Sequence, residues 1–322
     1  MIGGVETPNQ IWLAPLAGVT TRPYRDFHRR MGAGLVHTEM ISAIGLSYEN
    51  RHTILMLGDG EEKGPVALQL FGPDADRMAN AAERALRFRS FCAIEINMAC
   101  PMPKVTKRCG GASIMRNPGE AARMVSVLKT FGLPVWAKVR KTDERVHPMT
   151  TGNFCAELVE RGADLLIVHG RTPAQRYEGA ADKDAVISVA RKFPGAVAAS
   201  GDFFEPADAE YYLSSGCAAV FAARGAIRDA FLIPKTLDYL GSSVYEKFLN
   251  PSIAKQIEIL TEACRAAESI EGGRSALIMG RRLLSGMLKG VPGAASLRRM
   301  CAPCADFESF ERILTDFRPG GI

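Results

Sequence analysis

A chain of 322 residues, 47% apolar and 23% charged, has the composition of a globular protein. It is long enough for one large domain, alone or with a small one. No apolar run reaches the roughly 18–20 residues of a membrane helix, and no basic-then-apolar leader opens the chain, so a cytoplasmic protein without membrane association is expected. The net charge of +5 permits a polyanionic partner without requiring one, and no obligate protein partner is evident. Eight cysteines in a chain this long do not amount to a disulfide framework.

In chain order, strand-length apolar runs fall at Ile11–Ala14, Leu35–Thr38, Val66–Leu70, Ala93–Asn97, Val135–Val139, Leu165–His169, Ala196–Ser200 and Ala219–Ala222. Between them, Pro73–Phe88, Asn117–Thr130, Gly152–Arg161, Lys183–Phe193 and Glu205–Ser215 carry apolar residues at helical spacing. Several open on Asp, Asn or Pro, and several close on Gly. Near-continuous apolar strands suit a parallel sheet buried on both faces. Eight of them alternating with helices predict a (β/α)8 TIM barrel, with an open doubly wound sheet as the competitor.

After Leu240, "GSSVYEKFLNPS" reads as a linker and no strand follows. Helices are expected over Ser252–Ser269, Arg274–Leu288 and Asp306–Asp316, with "GVPGAA" as a break. The division is therefore a barrel over 1–243 and an all-helical C-terminal domain over 244–322. From Gly272 to Ala305 there is no acidic residue, while Arg274, Arg281, Arg282, Lys289, Arg298 and Arg299 are basic. Such a run is a solvated face unless the rest of the chain points to nucleic acid.

Polar residues cluster at the strand ends. The first strand ends in "APLAGVT", the third in Gln69, the fourth in Asn97 and the fifth in Lys138. The sixth ends in "HGRT" from His169, the seventh in "SGD" from Ser200, and the eighth in "AARGA" from Ala222. Each alone could be a strand cap, a core histidine or a lysine reaching solvent. Together they resist a packing explanation, because each unpartnered polar group buried costs about 1–3 kcal/mol. In barrels, chemistry collects at this rim. The turns holding Gly201 and Ala223–Arg224–Gly225 suit a phosphate. With Lys138 and Gln69 nearer the axis, they fit a phosphorylated planar cofactor, flavin mononucleotide (FMN).

The cysteines divide by context. Cys92, Cys155 and Cys217 lie in or beside apolar segments and read as core. Cys301 and Cys304 form a lone CxxC with Cys264 the nearest further ligand; surface loop thiols are expected there, and no metal site. Cys100 opens the loop after the fourth strand, and Cys109 follows in that loop as a weaker second thiol near the mouth.

The segments "APLAGVTTRPYR", "LQLFG", "EINMACPMPKV", "VWAKVR", "VHGRTPAQRYEGAAD", "ASGD" and "FAARGA" together resemble the tRNA-dihydrouridine synthases. The match runs in order from Ile11 to about Ala226, and the helical tail is in the right place with a weaker match. The resemblance implies an FMN enzyme that reduces a uridine in the D-loop region of tRNA to 5,6-dihydrouridine, with NADPH as electron source. It implies that Pro15, Leu16 and Ala17 line the flavin ring, that Gln69 and Lys138 hydrogen-bond it, and that His169 lies near flavin or base. Gly201, Asp202, Ala223, Arg224 and Gly225 would hold the ribityl phosphate. Asn97, Arg140 and Arg171 would meet the substrate, and Arg281, Arg282, Arg298 and Arg299 the body of the tRNA. Hydride would go to carbon 6 and a proton from Cys100 to carbon 5. A thiol with an ordinary pKa near 8.5 is protonated at neutral pH yet acidic enough to donate.

Three positions depart from the family pattern: Ala99 for the usual Gly, Ser200 for Asn before Gly-Asp, and Lys183 for a Trp. Two other functions stay open. An FMN barrel oxidoreductase acting on a small pyrimidine-like molecule would share the flavin residues but not explain the basic tail. A non-catalytic tRNA-binding protein would not explain the joint presence of Cys100, Lys138 and His169.

Overall fold

The computed structural model describes residues 1–317. Its strands are β1 (Ile11–Leu13), β2 (Leu35–His37), β3 (Ile41–Ser42), β4 (Val66–Phe71), β5 (Ala93–Met98), β6 (Val135–Arg140), β7 (Leu165–His169), β8 (Val197–Ser200) and β9 (Ala219–Ala222). All pairings among them are parallel, and β1 pairs with both β2 and β9 while β2 also pairs with β4. Eight strands thus close a TIM barrel, not an open sheet, and the two-residue β3 hangs on the end of β4.

Alternation along each strand sorts the apolar residues into two layers. Trp12, Leu35, Ala67, Ala93, Trp136, Ile167 and Phe221 fill the barrel interior, and Trp12 stacks on Trp136 with ring centroids 5.3 Å apart. Their neighbours Leu13, Val36, Leu68, Ile94, Ala137 and Val168 join the larger core beneath the helices. The N-terminal Ile2–Val5 bridge closes the floor, where Trp136 Nε1 donates to the Gly3 carbonyl at 2.8 Å.

The expected barrel helices appear as Ala75–Phe88, Pro118–Lys129, Thr151–Glu160, Lys183–Lys192 and Pro206–Ser214. The side chains of Asp74, Asn117, Thr150 and Asp182 cap the first four by accepting backbone N–H groups. After a 3-10 turn over Ser243–Phe248, four helices complete the described chain: Ile253–Glu271, Gly273–Met287, Ala294–Cys301 and Phe307–Asp316. The expected break at "GVPGAA" is the entry to one of them. Gly293 takes a left-handed φ of 80° and the Ala294–Cys301 helix starts directly after it. The thiols of that helix end are also not on the surface, since Cys301 and Cys304 are both buried. No helix among the described residues is long and apolar enough to cross a membrane.

Candidate active site at the barrel mouth

The C-terminal ends of the strands open into a cavity. Its walls are the loop after β1 (Ala14–Ala17 and Val19), the turn Ala99–Met102 after β5, and the segments Ser200–Phe204 and Ala223–Gly225. Asn97, Lys138, Arg140 and His169 face it from the strands. Gln69 lies beneath it, fully buried in the barrel interior.

Cys100 is held from both sides of its peptide unit. Its N–H donates to Asn97 Oδ1 at 2.9 Å, and its carbonyl accepts from Ala112 N at 2.9 Å. Gly111, at φ 59°, permits this: a β-carbon there would lie 2.6 Å from the Cys100 carbonyl oxygen. Ala99 is not among the residues at positive φ, so its methyl group is compatible with the turn. Burial pushes the Cys100 thiol up from its ordinary pKa, opposed by the Met102 N–H and by Arg140, and the sulfur is protonated at neutral pH. Cys109 is exposed at φ 56° and does not line the cavity.

The cations of the mouth differ in their freedom. Lys138 Nζ donates to Ser200 Oγ at 3.1 Å, and burial lowers its pKa to about 8 with Glu95 opposing. Arg140 spends its guanidinium on three carbonyls, those of Ala99, Thr172 and Arg176, and so ties the Cys100 turn to the loop after β7. Arg171 is likewise buried, bonded to the Glu178 and Gly179 carbonyls and to Asp202 at 2.7 Å. Arg224 takes the other Asp202 oxygen at 2.9 Å and lies over the Tyr177 ring. Burial first, then the charges of Lys138, Arg140, Arg171 and Arg224, hold the His169 imidazole down to about 2, so it is neutral. Gly201, at φ 115°, packs against that ring: a β-carbon would come 2.8 Å from His169 Cδ2.

The tail arginines also divide. Arg281 donates to the Ala302 and Cys304 carbonyls, joining two helices of the tail. Arg282 reaches the barrel and donates to the Gly18 carbonyl at 2.8 Å. Arg298 and Arg299 make no ion pair among the described residues and stand half-exposed and exposed. Lys183 pairs with Asp208 at 2.7 Å above the Tyr211 ring, outside the cavity.

Some residues that matter here were not singled out from sequence. His37 and Glu95 lie in the barrel interior below Asn97, and the signal for Glu95 was a lone charge in the apolar run "AIEIN". Tyr177 and Met40 line the cavity from loops without a motif of their own.

The model of the dihydrouridine synthase (Dus) family matches residues 12–317. A probable tRNA-dihydrouridine synthase 1 of Synechocystis is 31% identical over 302 residues, 92% of this chain and 83% of that protein. The tRNA-dihydrouridine synthase B of Pseudomonas aeruginosa is 30% identical over 301 residues, 92% of this chain and 89% of that protein. Among solved structures, morphinone reductase in complex with tetrahydroNAD shares the fold, with a TM-score of 0.50 at 17% identity over 79% of this chain and 93% of that one. With barrel, cavity and family model in agreement over nearly the whole length, the chain belongs to the dihydrouridine synthase family.

Proposed function

We propose that this protein is an FMN-dependent tRNA-dihydrouridine synthase that reduces a uridine in the D-loop region of tRNA to 5,6-dihydrouridine, with NADPH as electron source. The observation that carries this reading is a protonated thiol, Cys100, on the wall of a cation-lined cavity at the barrel mouth. The residues present fit the cofactor: Lys138 and Arg224 line the cavity, and Asp202 at its mouth is held by Arg171 and Arg224, an arrangement suited to an anionic group. Pro15, Leu16, Ala17, Gln69 and Lys138 would hold its ring, and Gly201, Asp202, Ala223, Arg224 and Gly225 its phosphate. Bound FMN supplies hydride transfer to carbon 6 of the uracil.

The chain's own part is orientation and protonation. Cys100 Sγ–H donates the proton to carbon 5, and the raised thiol pKa keeps that proton available at neutral pH. Neutral His169 accepts from Arg171 through Nε2 at 3.4 Å, which leaves its Nδ1–H to donate without adding charge. Asn97 turns its oxygen to two backbone N–H groups and its NH2 to Gln69 and, at 3.9 Å, to the Met40 sulfur, a weak acceptor that a carbonyl of the base would replace. Arg140 and Arg171 act on the substrate through the loops they fasten. In this reading a barrel over 1–243 carries the chemistry, a helical domain over 244–322 holds tRNA, and the protein works in the cytoplasm.

Cys100→Ala tests the reading. The variant is expected to keep its yellow colour and its tRNA affinity and to lose about 10²- to 10⁴-fold in turnover, the usual worth of a general acid. Full activity on native tRNA would sink the assignment. Mapping dihydrouridine in tRNA from a strain lacking the gene identifies the position.

A further inference from the structure

A line of hydrogen bonds runs up the barrel interior to the Cys100 turn. His37 Nδ1 lies 2.9 Å from the Leu13 carbonyl, and His37 Nε2 lies 3.0 Å from Glu95 Oε2. Gln69 Nε2 donates to Glu95 Oε1, and Asn97 Nδ2 donates to Gln69 Oε1 at 2.9 Å. Asn97 Oδ1 then accepts the N–H groups of Ala99 at 3.0 Å and Cys100 at 2.9 Å. His37, Gln69 and Glu95 are all fully buried.

The direction of every link is forced. Backbone N–H groups only donate, so Asn97 must turn its oxygen to them and its NH2 to Gln69. Gln69 must therefore turn its oxygen to Asn97 and its NH2 downward, which requires an acceptor below. Glu95 is that group. At the other end the Leu13 carbonyl only accepts, so His37 carries a hydrogen on Nδ1. His37 Nε2 and Glu95 Oε2 lie 3.0 Å apart, neither with a hydrogen-bonding partner among the described residues, and two lone pairs do not sit at that distance. One further proton belongs between them.

We propose that Glu95 and His37 are positioning residues for the thiol. Together they set which way Gln69 and Asn97 face, and so they hold the Ala99–Cys100 turn in one geometry. This rests on Cys100 being the proton donor. The alternative orientation of either amide would put like dipoles against each other in a dry interior, where an unmade hydrogen bond is costly.

Two substitutions separate orientation from charge. In Glu95→Gln the new amide oxygen still accepts from Gln69, and its NH2 donates to the Nε2 lone pair of neutral His37. The ladder survives without the shared proton. In Glu95→Met the ladder loses its lower end. Flavin reduction by NADPH is expected to be unchanged in Glu95→Gln, which leaves Gln69 facing as in the wild type, and both variants are compared as FMN-loaded protein. Re-oxidation by tRNA is expected within about 2-fold of wild type in Glu95→Gln and slower by about 10- to 100-fold in Glu95→Met, the cost of a misplaced reacting group. Labelling of Cys100 by iodoacetamide, measured by mass spectrometry against the exposed Cys109, should change severalfold in Glu95→Met alone.

Equal slowing in both variants would show that Glu95 acts by its charge and overturns the proposal, as would two variants that behave like wild type. A wild-type protein inactive on tRNA would count against the reaction and not against the ladder, because the labelling needs no substrate. Should Glu95→Met not fold, Gln69→Met cuts the ladder one link nearer the thiol. Unchanged labelling of Cys100 in that variant overturns the proposal.

Discussion

Two imidazoles bury themselves in this fold as neutral groups, and each ties stability to pH. Burial alone pushes His28 down to about 3, and neither of its ring nitrogens meets a hydrogen-bonding group among the described residues. His169 is held to about 2 by burial and by the cations around it. The unfolded chain takes up a proton at each site near pH 6.5, whereas the folded chain does so only near the lowered values. Stability contributed by the neutral rings is therefore complete above about pH 6.5 and falls as the pH drops, each site approaching about 1.4 kcal/mol per pH unit. His28→Leu removes one of the two sites and no hydrogen bond. It is expected to lower the slope of urea stability between pH 6 and 5 by up to about 1.4 kcal/mol per pH unit while costing little at pH 8. A slope equal to wild type would mean that His28 is protonated in the folded protein.

At the scale of elements, the Gly273–Met287 helix joins the tail to both sides of the cavity. Arg282 on this helix fastens the loop after β1 through the Gly18 carbonyl. Gly286, one turn on, lies against the Arg224–Arg228 helix that carries two cavity residues, and a β-carbon there would sit 2.5 Å from the Ile227 carbonyl oxygen. Backbone cannot yield as a side chain can. Gly286→Ala should cost about 1–3 kcal/mol of stability, the range for overpacking, and should loosen flavin retention with it. The exposed neighbour Ser285→Ala should stay within about 0.5 kcal/mol of wild type. Urea midpoints and flavin content of the two variants check this, and a stable, fully flavinated Gly286→Ala would refute the tight approach.

The barrel elements were legible because parallel strands buried on both sides spell unbroken apolar runs. Others were hidden for equally local reasons. The Arg22–Arg30 helix spells "RPYRDFHRR", where arginines mask the buried face made by Tyr24, Phe27 and His28. The "GVPGAA" segment carries breaker residues because a left-handed glycine starts the next helix, not because helix ends there for good. In the site, residues at strand ends showed themselves by polarity, as Lys138 and His169 did. The use of Arg140, Arg171 and Arg281 did not, because their partners, Asp202 on Arg171 apart, are backbone carbonyls that any residue supplies.

Across the whole molecule, the question is which positive charges remain available to a polyanion. The acid-free stretch from Gly272 to Ala305 holds six cations, of which Arg281 and Arg282 are taken up by carbonyls. Arg274, Lys289, Arg298 and Arg299 form no ion pair among the described residues. The Cys100 loop adds Lys104, Lys107 and Arg108, all exposed and equally without an acidic partner there. Phosphate contacts from unpaired cations release counterions, so each contact adds about one to the slope of log affinity against log salt. Reversing Arg298 and Arg299 to Glu should weaken tRNA binding most at low salt and flatten that slope by about two if both meet phosphates. NADPH oxidation should be untouched, since neither residue lines the cavity. Reversing Arg281 should instead lower stability, because its guanidinium holds the Ala302 and Cys304 carbonyls in place. Electrophoretic binding at several salt concentrations, with a urea midpoint for each variant, separates the two outcomes. An unchanged salt slope in the Arg298/Arg299 variant would make that face a merely solvated one and move the tRNA footprint to the cations beside Cys100.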